Sequence, residues 1–260
     1  MPALGMTTPV TGAPCWVSLV TPDPHAARSF YSQVMGWEFR DSSLGRDFSV
    51  ATARGEPVAG MGYCHGSGLT ARWTPYFAVA DADAAADRVR ERGATLAVGP
   101  ARLGEGRAAL AADRDGAAFG FWEGPALAWT VGRGSAPARL DLRTRHAFEA
   151  AIFYAEIFDW AEPKAGCTVD YAQDHVVVRV AGHTVATLRG GSVESAPDPR
   201  MRPRWMVDFR VEDSRATAAA ADAAGGESSP APPPLGCSKD TRIIRDPGGA
   251  LFTVSGPGGV

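Results

Sequence analysis

The 260-residue sequence has no long apolar run, no marked excess of either charge and no cysteine framework. A membrane helix needs about 20 consecutive apolar residues; no stretch approaches that, so no membrane partner is expected. A net charge of −3 gives no electrostatic case for nucleic acid. The four cysteines, Cys15, Cys64, Cys167 and Cys237, are widely scattered with no CxxC pair, so reduced structural thiols are expected rather than disulfides or a zinc site. Residues 1–14 are rich in Thr, Pro and Gly and lack the basic and apolar regions of a secretory signal. A soluble, cytoplasmic protein is therefore expected. Of the five histidines, His25 and His146 begin helices, His65 follows a strand in a Gly-rich loop, and His175 and His183 lie on or beside a hairpin; no two are spaced as a metal pair on one strand face.

What is present is a duplication. Trp16 to Val20 alternates as a strand, a turn leads into a helix carrying Phe30 and Tyr31, and Trp37 follows. Arg139 to Arg143, then Phe153, Tyr154 and Trp160, repeat the arrangement 123 residues later. With 45% apolar and 21% charged residues, each half has enough material for a core of its own. The expected organisation is a loose tail at 1–13, a first domain at 14–131, a short Gly/Ser/Pro linker at 132–138 and a second domain at 139–260.

Within each half the pattern of strand, capped helix and following strands occurs twice. Asp23, Asp81 and Asp213 are positioned as helix N-caps, and Gly36, Gly93 and the Gly225-Gly226 pair as stops. The turns Asp113-Arg114-Asp115-Gly116 and Asp246-Pro247-Gly248-Gly249 precede the last strand of each half. A single strand is expected across 171–180, while 190–203 and 227–238 are Pro-rich and expected to be irregular. The fold class is α+β: a tandem duplication of a domain built from paired βαβββ modules, four modules in all.

Four such modules in tandem pairs, with an aromatic-bearing first helix and an Asp-x-x-Gly turn before the last strand, resemble the vicinal oxygen chelate superfamily of glyoxalases, bleomycin-resistance proteins and extradiol dioxygenases. The resemblance spans roughly residues 14–258. It implies mixed sheets curled into open clefts, where ligands bind. Metal-using members place His and Glu ligands on the cleft face. Carried over residue by residue, the first-strand ligand position falls on Trp16, Thr74, Arg139 and Met206, and the last-strand position on Gly120 and Thr253. None of these side chains suits a His/carboxylate cation site, so no metal and no other cofactor is expected.

Alternation then sorts the strand residues by face. In the first half Val17, Leu19, Phe77, Val79, Phe119 and Phe121 face the helices, which leaves Trp16, Ser18, Tyr76 and Trp122 toward the cleft, with the small Ala78 and Gly120 between them. Amphipathic aromatics separated by small residues suit a flat, largely apolar ligand; the same rings could equally be filling the concavity of the sheet. In the second half Leu140, Leu142, Val207, Phe209 and Val211 face the helices, which leaves Arg139, Asp141, Arg143, Asp208 and Arg210 on the cleft face. Asp141, Asp208, Arg143 and Arg210 are the candidate catalytic groups, and Arg139 joins the ligand-binding set. Mutual Asp–Arg pairing that only ties strands together is the competing expectation.

Three functions fit: a binding protein that sequesters or carries an aromatic or natural-product-type small molecule, a metal-independent cyclase or isomerase, and a metal-dependent lyase or dioxygenase. The unsuitable ligand positions favour the first. A monomer or homodimer is expected.

Overall fold

The computed structural model describes residues 6–42, 44–63, 70–160, 166–231 and 240–257. Cys64, His65 and Cys237 lie outside the described residues. A short strand, β1 (Met6–Thr7), precedes the first module, which comprises β2 (Pro14–Thr21), α1 (Pro24–Met35), β3 (Glu38–Ser42), β4 (Gly45–Ala53) and β5 (Glu56–Tyr63). The second comprises β6 (Arg72–Ala78), α2 (Ala82–Glu91), β7 (Thr95–Leu103), β8 (Gly106–Ala112) and β9 (Ala118–Glu123), followed by β10 (Ala126–Leu127). The third has β11 (Arg139–Arg143), α3 (Ala147–Phe158), β12 (Cys167–Tyr171), β13 (His175–Val180) and β14 (His183–Arg189). The fourth has β15 (Arg204–Arg210), α4 (Ser214–Ala223), β16 (Glu227–Pro230), β17 (Arg242–Arg245) and β18 (Leu251–Ser255).

The helix starts are local chemistry. Asp23 Oδ1 accepts from the Ala26 amide at 2.9 Å, Asp81 Oδ1 from Ala84 at 2.9 Å, and Asp213 Oδ1 from Arg215 and Ala216 at 2.8 and 3.0 Å. Each such cap is worth about 1 kcal/mol. The start of α3 differs, because His146 occupies the cap position without a side-chain hydrogen bond. The end of α1 needs Gly36 at φ +65°, a left-handed conformation that costs little without a Cβ.

The strands form two open eight-stranded mixed sheets, ordered β3-β4-β5-β2-β6-β9-β8-β7 and β12-β13-β14-β11-β15-β18-β17-β16, plus the small pair β1-β10. Each half of the sequence supplies one sheet. The compact units follow a different division: residues 1–16, 74–132 and 139–205 form one, and residues 17–73, 133–138 and 206–260 the other. The second and third modules thus share one core, and the first and fourth share the other.

In the unit of the second and third modules, Phe153, Tyr154 and Phe158 of α3 pack on Phe77 of β6 and Phe119 of β9. The Phe77 and Phe158 rings stack at 4.5 Å, and Phe119 meets Tyr154 edge-on at 5.2 Å. In the unit of the first and fourth modules, Tyr31 of α1 stacks on Trp37 at 5.3 Å and meets Phe252 of β18 at 5.5 Å, while Trp37 meets Phe209 of β15 at 5.0 Å. Full burial of a Phe-sized side chain contributes about 3 kcal/mol, so these clusters dominate both cores.

A buried hydrogen-bonded chain recurs in each core. Tyr31 Oη donates to Asp246 Oδ2 at 3.0 Å and accepts from Trp73 Nε1 at 3.1 Å. Tyr154 Oη donates to Asp113 Oδ2 at 2.8 Å and accepts from Trp205 Nε1 at 3.1 Å. The other carboxylate oxygen holds its own turn: Asp113 Oδ1 accepts from Ala117 N at 2.8 Å, and Asp246 Oδ1 from Ala250 N at 2.7 Å. That double duty accounts for the Asp of the Asp-x-x-Gly motif, and the positive φ of Gly116 and Gly249, +87° and +93°, for its Gly.

Three stretches depart from the sequence-based expectation. Residues 6–13, expected as a loose tail, are tied down: β1 pairs with β10, the Gly12 amide donates to Ala78 O at 2.7 Å, and Trp160 Nε1 donates to Gly12 O at 2.7 Å. The stretch 171–180 is not one strand; β12 ends at Tyr171 and β13 begins at His175. β16 lies within the stretch expected to be irregular and pairs with β17. β16 is held by ladder hydrogen bonds with little side-chain burial, so hydrophobic alternation carries no trace of it, whereas β12 does alternate, with Cys167, Val169 and Tyr171 apolar, but over only five residues.

Candidate functional site

The first-half candidates in the unit of the second and third modules are Trp16, Tyr76 and Trp122. All three are half-buried, whereas Phe77, Phe119 and Phe121 on the opposite strand face are fully buried. Tyr76 stands opposite Gly120 in the parallel β6–β9 register, and its ring lies over that glycine: a Cβ there would come within 2.4 Å of Tyr76 Cδ1 and Cε1. The Trp122 ring covers Gly106 in the same way, with Cζ2 2.3 Å from where a Cβ would be, and its Nε1 donates to Pro125 O at 3.0 Å. Trp16 meets Trp129, which the sequence reading missed, at 5.6 Å. The two glycines leave room for the Tyr76 and Trp122 rings above them. Burial pushes the Tyr76 hydroxyl up to about 12, with the adjacent Cys15 adding to it, so the phenol stays neutral at physiological pH. Ser18 falls in the other unit, where it is buried on β2 opposite Gly60 of β5.

The five polar candidates of the second half divide between the units. Arg139, Asp141 and Arg143 belong to β11 in the unit of the second and third modules, whereas Asp208 and Arg210 of β15 belong to the unit of the first and fourth. Arg139 Nε lies 3.8 Å from Asp141 Oδ2, a partly buried ion pair. Asp208 is fully buried, and its Oδ2 accepts from Ser255 Oγ at 2.7 Å. Arg210 is exposed and lines a cavity of about 730 Å³ together with Trp37, Arg54, Phe209 and Glu212. Arg143 is buried at 6% exposure, and its Nε has no hydrogen-bond partner among the described residues. Burial alone pulls its pKa below the usual arginine range.

Two neighbours of Arg143 escaped the sequence reading as site residues. Arg143 pairs with Arg189 in the parallel β11–β14 register, and Arg189 pairs with His175 in the antiparallel β13–β14 register. Alternation along 184–188, continued by one residue, carries the signal for Arg189.

The positions where the family's ligands would fall do not fit a cation. Met206 packs with Ile243 and Leu251, Thr253 Oγ1 donates to Val207 O at 3.5 Å, and Gly120 lies beneath Tyr76. Among the described residues no group of three or more His, Cys, Asp or Glu could hold a metal ion. Cys15 and Cys167 are free and buried, and burial pushes both thiols up to about 12, which makes them poor nucleophiles. No helix among the described residues is long and apolar enough to cross a membrane.

Comparison with known proteins agrees with this architecture. Residues 15–121 match the model of the Glyoxalase/Bleomycin resistance protein/Dioxygenase superfamily, and residues 139–255 match that of a Glyoxalase-like domain. A protein of Mycobacterium tuberculosis named "Putative glyoxylase CFP32" is 31% identical over 255 residues, 95% of each chain. The "Anthracycline biosynthesis protein DnrV" of Streptomyces peucetius is 32% identical over 271 residues, covering 96% of this chain and 94% of its own. Two solved structures share the fold at 16% identity. The Mn(II)-bound glyoxalase of Novosphingobium aromaticivorans has a TM-score of 0.56, covering 94% of this chain and 82% of its own. A variant of homoprotocatechuate 2,3-dioxygenase from B. fuscum has a TM-score of 0.58, covering 96% and 74%. The chain therefore belongs to the glyoxalase/bleomycin resistance protein/dioxygenase superfamily, as a tandem two-domain member.

Proposed function

We propose that this protein binds a planar, largely apolar small molecule of natural-product type on the aromatic floor of Trp16, Tyr76 and Trp122, and sequesters or carries it without a divalent metal. The observation that carries the reading is the way Tyr76 and Trp122 lie over Gly120 and Gly106 while keeping part of their surface accessible. Rings that only filled a core would be closed over, as Phe77 and Phe119 are. A flat aromatic face offers offset stacking and apolar burial to a flat ligand. The name of the Streptomyces peucetius relative, which refers to anthracycline biosynthesis, supports a polycyclic aromatic ligand.

A second reading is metal-independent turnover of such a ligand. The buried Arg143 without a counter-ion favours it, with Asp141 as the nearest candidate proton carrier in sequence.

Isothermal titration with a hydroxylated anthraquinone tests the first reading. Saturable binding is expected, and Trp122→Ala should weaken it at least tenfold while lowering stability only modestly. Binding that survives Trp122→Ala, or a core-like stability loss of about 3–5 kcal/mol with no ligand bound by the parent protein, would make the rings structural filler.

A further inference from the structure

Arg143, Arg189 and His175 lie in one lateral row across β11, β14 and β13. Their face is fixed by the residues one step back along β11 and β14 and one step on along β13: Leu142, Leu188 and Val176 are all fully buried, so alternation turns the row to the opposite side. Strands are about 4.8 Å apart, so the row spans about 10 Å. Two arginines directly opposite each other in a sheet repel, and nothing in the row itself offsets that repulsion.

Of the neighbouring carboxylates, Asp141 and Asp170 have basic partners outside the row, and Asp174 engages His175 and Arg189 rather than Arg143. Asp141 lies beside Arg139, with 3.8 Å between Oδ2 and Nε. Asp170 holds Arg179 Nε at 2.6 Å. Asp174, largely exposed, meets His175 Nδ1 at 2.6 Å and feels the charge of Arg189. The Arg143 side chain has neither a hydrogen bond nor an ion pair with any described residue, although the residue is more than nine-tenths buried. A guanidinium removed from water without a counter-ion is costly, and its planar fork matches an oxyanion in two parallel hydrogen bonds.

We propose that this row is a recognition site for the oxyanion of a small-molecule ligand, a carboxylate or a phosphate group held by the Arg143 fork and flanked by Arg189 and His175. The site goes beyond the aromatic-floor reading and stands without it, because its evidence is charge and burial on the strands of the second half.

The experiment is thermal denaturation and isothermal titration of the full chain with inorganic phosphate and with acetate, at constant ionic strength and against chloride. Neither probe has a ring, so a failed aromatic floor would not affect the outcome. A saturable rise in the melting midpoint is expected with at least one probe; phosphate alone would mark a phosphate ligand, and acetate a carboxylate. Arg143→Met should cut that affinity at least tenfold and Arg189→Met several-fold, while Arg179→Met, a change on the same hairpin, should leave it unaltered. In the absence of oxyanion, Arg143→Met should leave the midpoint unchanged or raised, since an apolar side chain replaces a buried unpaired charge. No saturable response to either probe would overturn the proposal, as would a response that survives Arg143→Met or a lowered midpoint at unchanged affinity. If Arg143→Met does not fold, undiminished oxyanion affinity in Arg189→Met overturns it instead.

Discussion

Tyr154→Phe tests whether the buried chain from Trp205 through Tyr154 to Asp113 holds its unit together. The substitution keeps the ring and its packing on Phe119 and Phe158, and removes one oxygen. Asp113 loses a 2.8 Å hydrogen bond to its carboxylate, and Trp205 Nε1 loses its 3.1 Å acceptor. A hydrogen bond to a charged group is worth about 1.5–3 kcal/mol and a stranded buried donor costs about 1–3 kcal/mol, so a loss of about 3–4 kcal/mol is expected near pH 8. In a calorimetric melt that corresponds to a fall of about 10 °C. Burial raises the Asp113 carboxyl from 3.8 to about 6, against the pull of its hydrogen bonds from Tyr154 and two amides. The folded protein therefore holds this proton more tightly than the unfolded chain. Its contribution to stability is complete below about pH 4 and is lost as pH rises through about 6, a span worth about 3 kcal/mol. Without the Tyr154 hydroxyl the ionised carboxylate is less well supported, so the cost of Tyr154→Phe should be smaller at about pH 5 than at pH 8. Denaturant titrations at both values measure it; a cost below about 1 kcal/mol at pH 8, or one equal at the two pH values, would refute the reasoning.

Gly120→Ala puts a Cβ within 2.4 Å of the Tyr76 ring and 3.0 Å of Ala109 O, so the ring must swing off the sheet. A stability loss of about 2 kcal/mol and weaker binding of a planar aromatic ligand are expected; an affinity unchanged by calorimetry would separate the floor from the ligand. The protein as isolated should hold no stoichiometric divalent metal, and chelation should leave its melting midpoint unmoved. One tightly held Zn, Ni, Fe or Mn per chain by elemental analysis would contradict the argument from Met206, Thr253 and Gly120.

The fold was legible in the sequence where local chemistry acts locally. Asp23, Asp81 and Asp213 announce helices, and the alternation of Val17, Leu19, Phe77 and Phe119 identifies the face that packs on them. Pairing of modules was not legible, because the residues that establish it are remote: Tyr31 and Asp246 are 215 positions apart, and nothing in either segment names the other. β12 and β16 escaped for a different reason. A backbone ladder holds β16 with little side-chain burial, and β12, although Cys167, Val169 and Tyr171 alternate with Thr168 and Asp170, is only five residues long. Alternation yields the candidate residues as two strand-face sets, one aromatic and one charged, and the structure divides the charged set between the two units. The details of the site depend on register, which is what places Arg189 and His175 beside Arg143 and the Tyr76 ring over Gly120.

The duplication separates what the two halves share from what they do not. At an offset of 123 residues Val17 and Leu19 correspond to Leu140 and Leu142, and all four are fully buried. The alternate positions do not match: Trp16 corresponds to Arg139, Ser18 to Asp141 and Val20 to Arg143. The other central strands behave alike. Aligned on Trp73 and Trp205, Phe77 keeps its equivalent in Phe209 while Tyr76 becomes Asp208 and Ala78 becomes Arg210. Aligned on Asp113 and Asp246, Phe119 keeps Phe252 while Gly120 becomes Thr253 and Trp122 becomes Ser255. The two copies thus agree on the side that packs against helices and differ at every central position of the side that does not. The aromatic pair that made the duplication visible belongs to the shared core rather than to either candidate site.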